Sequence, residues 1–218
     1  MTRTKFVKIL VDVLMYFDFI FLMSHGTVRN LSFHAYGGIA LFVLFLIHHI
    51  LNRWFYKTLT KGKYTSQRIL ISVTAWLLFV LMILMALSSI FASGAVFENS
   101  PFMFTQVWRT VHLLSTSWAY MIMSFHLGLH LHFVLKKLEY KTGDCKFRRI
   151  LLYLFYILII FAGCFALWES QLYVYLFNTG NWKMAAPNLF VSYIEYIGIT
   201  AAVSLIYHLV KVISSGKN

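Results

Sequence analysis

Charged residues are scarce in this sequence, and acidic residues are the scarcest of them. Of the 218 residues only 12% are charged, Asp and Glu together number seven, and 60% of the residues are hydrophobic. A water-soluble domain carries about 25% charged residues, which it needs to cover its surface. The composition therefore excludes an ordinary soluble globule and indicates an integral membrane protein.

Cysteine is also nearly absent, and its scarcity excludes several cofactor chemistries. Cys145 falls in a basic segment and Cys164 within an apolar run, so we expect no disulfide between them. An iron–sulfur cluster of the usual kind needs four thiolates, and only two cysteines are present. The sequence has no Cys-x-x-Cys-His motif, which covalent attachment of a c-type haem requires.

Long apolar runs are what the sequence does have. They recur in blocks of roughly 20 residues, about the length that crosses ~30 Å of hydrocarbon as a helix. We therefore predict an all-α integral membrane protein with about six transmembrane helices. The predicted spans are 7–25, 34–52, 69–92, 107–133, 150–169 and 189–212. The segment 170–188 is aromatic and nearly uncharged, which favours a re-entrant or interfacial helix there.

Lys and Arg residues alternate between the two sides of these predicted spans. One side holds sixteen of the 19: Arg3, Lys5, Lys8, Arg53, Lys57, Lys61, Lys63, Arg68, Lys136, Lys137, Lys141, Lys146, Arg148, Arg149, Lys211 and Lys217. The other side holds Arg29, Arg109 and Lys183. Cytoplasmic segments are enriched in Lys and Arg, so the pattern predicts a multi-pass protein of the cytoplasmic membrane with both termini in the cytoplasm. The net charge of +12 is then explained by topology and by contact with anionic membrane lipid, and no nucleic-acid partner is expected.

Nine histidines are many for a membrane chain, because an imidazole ring in hydrocarbon is costly and is by default a functional candidate. His34 and His48 are 14 residues apart, and so are His112 and His126. Fourteen residues are just short of four helical turns, so the two rings of each pair share a helix face, ~21 Å apart along the axis. Spans two and four run in the same direction. We therefore expect His34 to face His112 near the outer surface and His48 to face His126 near the inner one.

Two facing histidines, one from each helix, are the arrangement that ligates a haem iron from both sides. The sequence thus predicts two non-covalent b-type haems, with His34, His48, His112 and His126 as the iron ligands. A zinc site is disfavoured, because a tetrahedral site needs three or four ligands clustered together. The alternative is that these rings only form hydrogen bonds between helices.

Two further histidines leave the inner ligands open. His49 is rotated ~60° from the face that His34 and His48 share. His130 lies one turn after His126, so it could replace His126, bind a haem propionate or belong to a third site. We prefer His48 and His126. The remaining histidines, His25, His132 and His208, fall at predicted membrane boundaries and are interpreted as interfacial residues.

Glycine and arginine residues near these histidines are candidates for the walls of the haem sites. Gly37, Gly38 and Gly128 would let a planar macrocycle come close to the helices, although glycines also serve tight helix packing in membranes. Haem propionates are anionic and pair with cations. Arg109 and Arg29 are the candidates on the outer side.

Two stretches carry a family resemblance. The run FHAYGGIALFVLFLIHHILNRWFYKTLTKGKYTSQRIL, with VHLLSTSWAYMIMSFHLGLH, resembles the flavinylation-associated, cytochrome-b-like membrane proteins, a family long catalogued as of unknown function. The resemblance covers residues 7–133, and its most specific parts are HHILN at 48–52, KGKY at 61–64 and HLGLH at 126–130. A Trp or Tyr with Gly often follows the first histidine in this family, whereas Ala35, Tyr36 and Gly37 follow it here.

The resemblance implies a cytochrome-b-like four-helix core in residues 1–140, followed by two additional helices in 141–218 whose role it does not cover. It also implies haem ligands at His34, His48, His112 and His126. Members of the family are thought to relay electrons to flavin-carrying proteins outside the cytoplasm. We find no flavin-attachment segment in this sequence, so a flavin would belong to the partner protein.

The expected function is a dihaem conduit that takes electrons from a cytoplasmic-side or quinol donor and delivers them to such a partner. The chain would be an electron-transfer subunit without catalytic residues of its own. One alternative is a quinone-reactive cytochrome b subunit, in which Asp18, Glu195 or His130 would accept the quinol proton. Another is a His-rich metal transporter or sensor, which is disfavoured because spans two and four contain no Asp or Glu.

Overall fold

A computed structural model describes residues 3–24, 30–92, 106–141, 145–180 and 188–215. These residues form helices and no strand. The helices are α1 (Arg3–Met23), α2 (Leu31–Leu51), α3 (Trp54–Thr58), α4 (Ser66–Ala92), α5 (Gln106–Lys141), α6 (Lys146–Glu169), α7 (Leu172–Phe177) and α8 (Leu189–Ser215). His25, Arg29 and Lys183, named above from the sequence, lie outside the described residues.

Each of the six predicted spans corresponds to one long helix. Five of these helices, α2, α4, α5, α6 and α8, are long and apolar enough to cross a membrane. The chain is therefore an all-helical, multi-pass membrane protein. The sixth long helix, α1, differs because Lys8, Asp12 and Asp18 fall within its apolar stretch. It nevertheless packs along α2 and against part of α8, and it buries Phe19 and Ile20 in the core.

Some helix ends differ from the predicted boundaries for identifiable reasons. Helix α2 begins three residues early because the side chain of Asn30 accepts a hydrogen bond from the backbone N–H of Phe33 at 3.2 Å, which caps the helix. Helix α5 continues eight residues beyond residue 133. The added turns are basic and amphipathic, and they extend the helix past its apolar portion. The predicted interfacial segment contains the short helix α7, with Leu172, Val174 and Leu176 buried.

Helix α5 is the centre of the bundle. It packs along α4 on one side and along α8 on the other, and α6 packs along α8. The buried hydroxyl of Tyr120 on α5 donates to the backbone carbonyl of Tyr196 and lies 3.1 Å from the hydroxyl of Thr200, which ties α5 to α8. Helix α2 packs on α1, and among the described residues its backbone hardly approaches that of α5. The two helices that carry the paired histidines are thus separated along most of their lengths.

The two ends of the bundle are distinguished by their charge. The basic end holds the start of α1, α4 and α6 and the C-terminal ends of α2, α5 and α8, together with most of the Lys and Arg residues. The opposite end is called the far end below. Because α2 and α5 both run from the far end to the basic end, residues at matching positions along them lie at the same level.

Candidate functional site

The far-end pair consists of His34, in the first turn of α2, and His112, in the second turn of α5. Their ring centroids are 6.0 Å apart, and the ring planes are inclined by 77°. Two metal–imidazole bonds of about 2 Å each, added to two ring radii of about 1.2 Å, give a separation of about 6 Å. The structure therefore brings together two residues that the sequence paired, at the centroid separation that a metal ion bound between facing ring nitrogens would give.

The ring of His112 is oriented by α4. Its Nδ1 lies 3.1 Å from the hydroxyl oxygen of Ser89, 3.3 Å from that of Ser88 and 3.4 Å from the carbonyl oxygen of Met85. Both serine hydroxyls donate to the Met85 carbonyl, so their oxygens are left to accept from His112. This pattern assigns the ring proton to Nδ1 and leaves the lone pair of Nε2 available. Histidines that ligate metals are typically held in this way through their second nitrogen.

His34 lacks such a partner. Its ring approaches the backbone of Leu22 on α1, but its Nδ1 is buried and has no hydrogen bond of good geometry within the described part of the chain. A buried ring nitrogen without a partner is costly, and in a functional site it commonly marks a group that a ligand satisfies. His34 is therefore the less constrained member of the far-end pair.

The basic-end group consists of His48 on α2 and His126 on α5, each with its own oxygen partner. The Nδ1 of His48 lies 2.6 Å from Oδ1 of Asp12 on α1. The Nδ1 of His126 lies 2.8 Å from the hydroxyl of Thr74, which itself donates to the carbonyl of Leu70 and so accepts from the ring. His126 is also close enough to His48 and Asp12 for their charges to interact. Within the described ranges neither ring forms a hydrogen bond through Nε2, and the same holds for His112.

The oxygens that hold these rings were not identified from the sequence. Thr74 and Ser88 are 14 residues apart on α4, the same spacing as His112 and His126 on α5. Since α4 and α5 pack along each other in opposite directions, one hydroxyl meets each histidine. The repeated 14-residue spacing is present in the sequence and would have indicated Thr74 and Ser88 as partners of the histidines.

His49 faces a different environment from its neighbour His48. Its Nδ1 is hydrogen-bonded to the hydroxyl of Tyr56, and its ring centroid lies 4.4 Å from that of Phe45 and 5.3 Å from that of Phe79. Burial raises the pKa of Tyr56, so this hydroxyl keeps its proton. His49 therefore belongs to an aromatic cluster between α2, α3 and α4, although its ring centroid also lies 5.5 Å from that of His48.

His130 stays beside the basic-end group. Its ring centroid is 4.9 Å from that of His126, and it lies within electrostatic range of Asp12 and His48. The side chain is exposed, whereas the ring of His126 is partly buried and fixed by Thr74. This difference makes His126 the better-oriented ligand and His130 its neighbour.

The three glycines differ in what surrounds them. A methyl group placed on Gly37 would lie 2.9 Å from a side-chain carbon of Leu22, and one on Gly128 would lie 2.9 Å from Cα of Ser204. These two glycines therefore let helices pack closely, which was the alternative interpretation. A methyl group on Gly38, one turn after His34, would meet nothing within 4 Å in the described structure. Only Gly38 borders open space.

Arg109 lies one turn before His112 on α5, and its side chain is exposed. It is close enough to Tyr175 in α7 to influence that phenol. Burial raises the pKa of Tyr175, and the positive charge of Arg109 acts in the opposite direction. Arg109 thus lies one turn from His112 with its charge acting on Tyr175, and its role as a propionate partner stays a prediction.

No protein-family model, curated protein or solved structure matches this chain. Within the described ranges, no three His, Cys, Asp or Glu side chains are grouped so that they could hold a metal ion together. What these residues offer instead is pairs of imidazoles, at two levels of the bundle.

Proposed function

We propose that this protein is a dihaem b-type cytochrome that carries electrons across the membrane. The observation that supports it best is the far-end pair, with ring centroids 6.0 Å apart and the Nδ1 of His112 held by serine oxygens. The same ligand chemistry recurs at the basic end in His48 and His126. Haem, when bound, supplies an iron that alternates between two oxidation states.

Each histidine would have a defined partner in this proposal. His34 and His112 would hold the outer haem, and His48 and His126 the inner one, ~21 Å further along the helices. Asp12 makes the ring of His48 a more basic ligand, because a carboxylate that accepts the Nδ1 proton raises the electron density at Nε2. The neutral hydroxyls on α4 do this more weakly for His112 and His126. The two haem levels would therefore differ in redox potential.

The proposed topology has six membrane crossings with both termini in the cytoplasm. It places α1 in the membrane as the sixth helix, supported by its packing along α2 and by the pairing of Asp12 with His48, which reduces the cost of burying that carboxylate. The basic end would then face the cytoplasm. The four-helix core would be residues 1–140, with two further helices in 141–218.

The far end would face the electron acceptor. From the resemblance to the flavinylation-associated, cytochrome-b-like family, we propose a flavin-carrying protein outside the cytoplasm in this role. The chain would be an electron-transfer subunit in an oxidoreductase system, and the flavin chemistry would take place on the partner.

A quinol is the second candidate for the electron donor, and a cavity at the basic end favours it. The cavity has a volume of about 330 Å³, and Phe55, Phe133, Gln67 and Ser72 are among its lining residues. Aromatic side chains with a few hydrogen-bonding groups are typical of a small-molecule site of this size, and here Arg68 adds a cation to the lining. Ile71, also in its lining, lies one turn from Thr74, so the cavity adjoins the basic-end group.

The proposal is tested by counting haems. The protein is purified in mild detergent, its dithionite-reduced minus oxidised spectrum is recorded, and haem is quantified as the pyridine haemochrome. We expect a b-type spectrum and two haems per chain in the wild type. Each of His34→Phe, His48→Phe, His112→Phe and His126→Phe is expected to lose one haem.

The matched control is His49→Phe, which changes the neighbour of His48 within the aromatic cluster. We expect it to retain both haems, because phenylalanine suits the ring contacts with Phe45 and Phe79. A wild-type protein without haem, under conditions in which a known cytochrome b loads fully, contradicts the proposal. Equal losses in His48→Phe and His49→Phe contradict the assignment of the inner ligand.

A further inference from the structure

A second histidine cluster lies between α5 and α8, and the proposed haem ligands do not use it. His208 on α8 is completely buried, and its Nδ1 lies 2.9 Å from the Nδ1 of His132 on α5. Its Nε2 lies 2.9 Å from Oε1 of Glu139, also on α5. The sequence interpretation placed His132 and His208 at a membrane boundary and did not foresee that both rings would be buried between helices.

The three side chains form a line, since His208 uses one ring nitrogen for each neighbour. A metal ion would need its ligands to converge on one point, whereas here the ring of His208 separates His132 from Glu139. If the cluster served only to hold α5 and α8 together, a single hydrogen bond between the helices would be enough. A line of three titratable groups, each within hydrogen-bond distance of the next, is the geometry that moves a proton.

The hydrogen bonds allow two proton arrangements. In the first, Glu139 is ionised and accepts from Nε2–H of His208, whose Nδ1 accepts from Nδ1–H of His132. In the second, Glu139 is protonated and donates to Nε2 of His208, whose Nδ1–H donates to Nδ1 of His132, which then carries its proton on Nε2. Each arrangement satisfies both contacts, because only one of two facing nitrogens can carry the shared proton.

The surroundings connect this line to solvent at one end and to buried hydroxyls along its length. The Glu139 side chain is 16% exposed and sits in the last turns of α5, at the basic end. Tyr207, with its ring centroid 5.9 Å from that of His132, and Tyr156, 5.9 Å from that of His208, have buried hydroxyls without a hydrogen-bond partner among the described residues. Buried hydroxyls of this kind are groups that ordered water commonly satisfies.

Other titratable groups face the cluster from all three helices. They are Lys136 of α5, Lys211 and Tyr207 of α8, and Arg149, Tyr153 and Tyr156 of α6. Glu139 is the one carboxylate that this set of cations and phenols surrounds in the described structure. It is therefore the natural entry point for a proton from the basic end.

We propose that Glu139, His208 and His132 form a proton-transfer chain that leads from the basic end of the bundle to the buried hydroxyls beside α8. In one passage Glu139 gives its proton to Nε2 of His208. The Nδ1 proton of His208 moves to Nδ1 of His132, and the Nε2 proton of His132 leaves to water or towards Tyr207. In this passage one proton leaves, no electron moves, and the chain goes from the second arrangement, which holds three protons, to the first, which holds two; the proton that enters is the one that Glu139 takes up afterwards. Protonation of Glu139 and return of the rings to their starting tautomers reset it.

The test follows the ring nitrogens of His208 by solid-state NMR, using protein labelled with ¹⁵N-histidine in lipid bilayers. His208→Gln identifies the signals. In the wild type we expect the proton of His208 to move from Nε2 to Nδ1, or to be shared between them, as the pH is lowered through the range in which a carboxylate takes up a proton. In Glu139→Gln, an amide cannot exchange a proton with the ring, and we expect one tautomer throughout. Glu169→Gln, at the far end of α6, is the matched control and should behave as the wild type.

Two results would overturn the proposal. One is a wild-type His208 whose proton stays on the same nitrogen across the pH range, a result that needs no variant to fold. The other is a Glu139→Gln variant whose tautomers still interconvert. The measurement requires no bound haem, so its outcome is independent of the haem count.

Discussion

The contact between Asp12 and His48 carries a quantitative prediction. The carboxylate of Asp12 on α1 lies 2.6 Å from Nδ1 of His48, and in our proposal it orients the inner haem ligand. Asp12→Asn keeps the size of the side chain and a neutral hydrogen bond but removes the negative charge. We expect haem to bind more weakly at this level and the reduction potential of this haem to rise, because the ring becomes a poorer electron donor.

The size of the effect follows from the exposure of the pair. Loss of a carboxylate behind a metal-ligating histidine typically costs about 10- to 100-fold in affinity. The Asp12 side chain is 49% exposed and the His48 side chain 29%, so the charge is partly screened and the low end of that range applies. We therefore expect about a tenfold loss, equivalent to about 1.4 kcal/mol of binding free energy.

The assay is a titration of haem into haem-free protein, followed by a redox titration of the loaded sample. Asp18→Asn is the matched control, since Asp18 lies on the same helix but beside Gly37. It should leave the affinity of the inner site unchanged. Equal affinities and equal potentials in Asp12→Asn and Asp18→Asn would refute the assignment of Asp12 as the partner of an inner ligand.

Three further predictions concern other contacts. Gly128→Ala should lower the free energy of unfolding by about 1–3 kcal/mol, because the added methyl group meets the backbone of α8. Gly38→Ala should have little effect, because Gly38 borders open space. Denaturant titrations of the two variants test this. The double change Ser88→Ala with Ser89→Ala should shift the reduction potential of the outer haem only, as seen in a redox titration with both haems resolved. Tyr120→Phe removes a buried hydroxyl bonded to α8 and should cost about 1–3 kcal/mol, and an unfolding midpoint equal to the wild type would contradict that.

The helices were predictable because run length and charge alternation are local properties of the sequence. The level at which His34 meets His112 was also predictable, since it needs only the rise of a helix and the direction of two spans. The exact residues at which the helices begin and end were less predictable. The start of α2 depends on the Asn30 cap, and the extension of α5 to Lys141 depends on amphipathic turns that a hydrophobicity pattern does not include.

The hydrogen-bond partners of the histidines could not be predicted from the sequence, because they depend on how the helices pack against each other. Whether Asp12 reaches His48 depends on the rotation of α1 about its axis, which no spacing within α1 determines. The burial of His208 was not predicted for a similar reason, because it results from α8 packing along α5. The distinction between His48 and His49 likewise depends on where Tyr56 and Phe79 lie. Each of these contacts joins residues that are far apart in the chain or on different helices.

Electron transfer across a sealed bilayer is the most direct test of the central claim. The purified protein is reconstituted into liposomes that contain trapped ferricyanide, and the membrane-impermeant reductant dithionite is added outside. We predict that the trapped ferricyanide is reduced in wild-type vesicles and that reduction falls to the protein-free rate with His34→Phe or His48→Phe. Haems that are reduced while the trapped ferricyanide stays oxidised would contradict a transmembrane conduit.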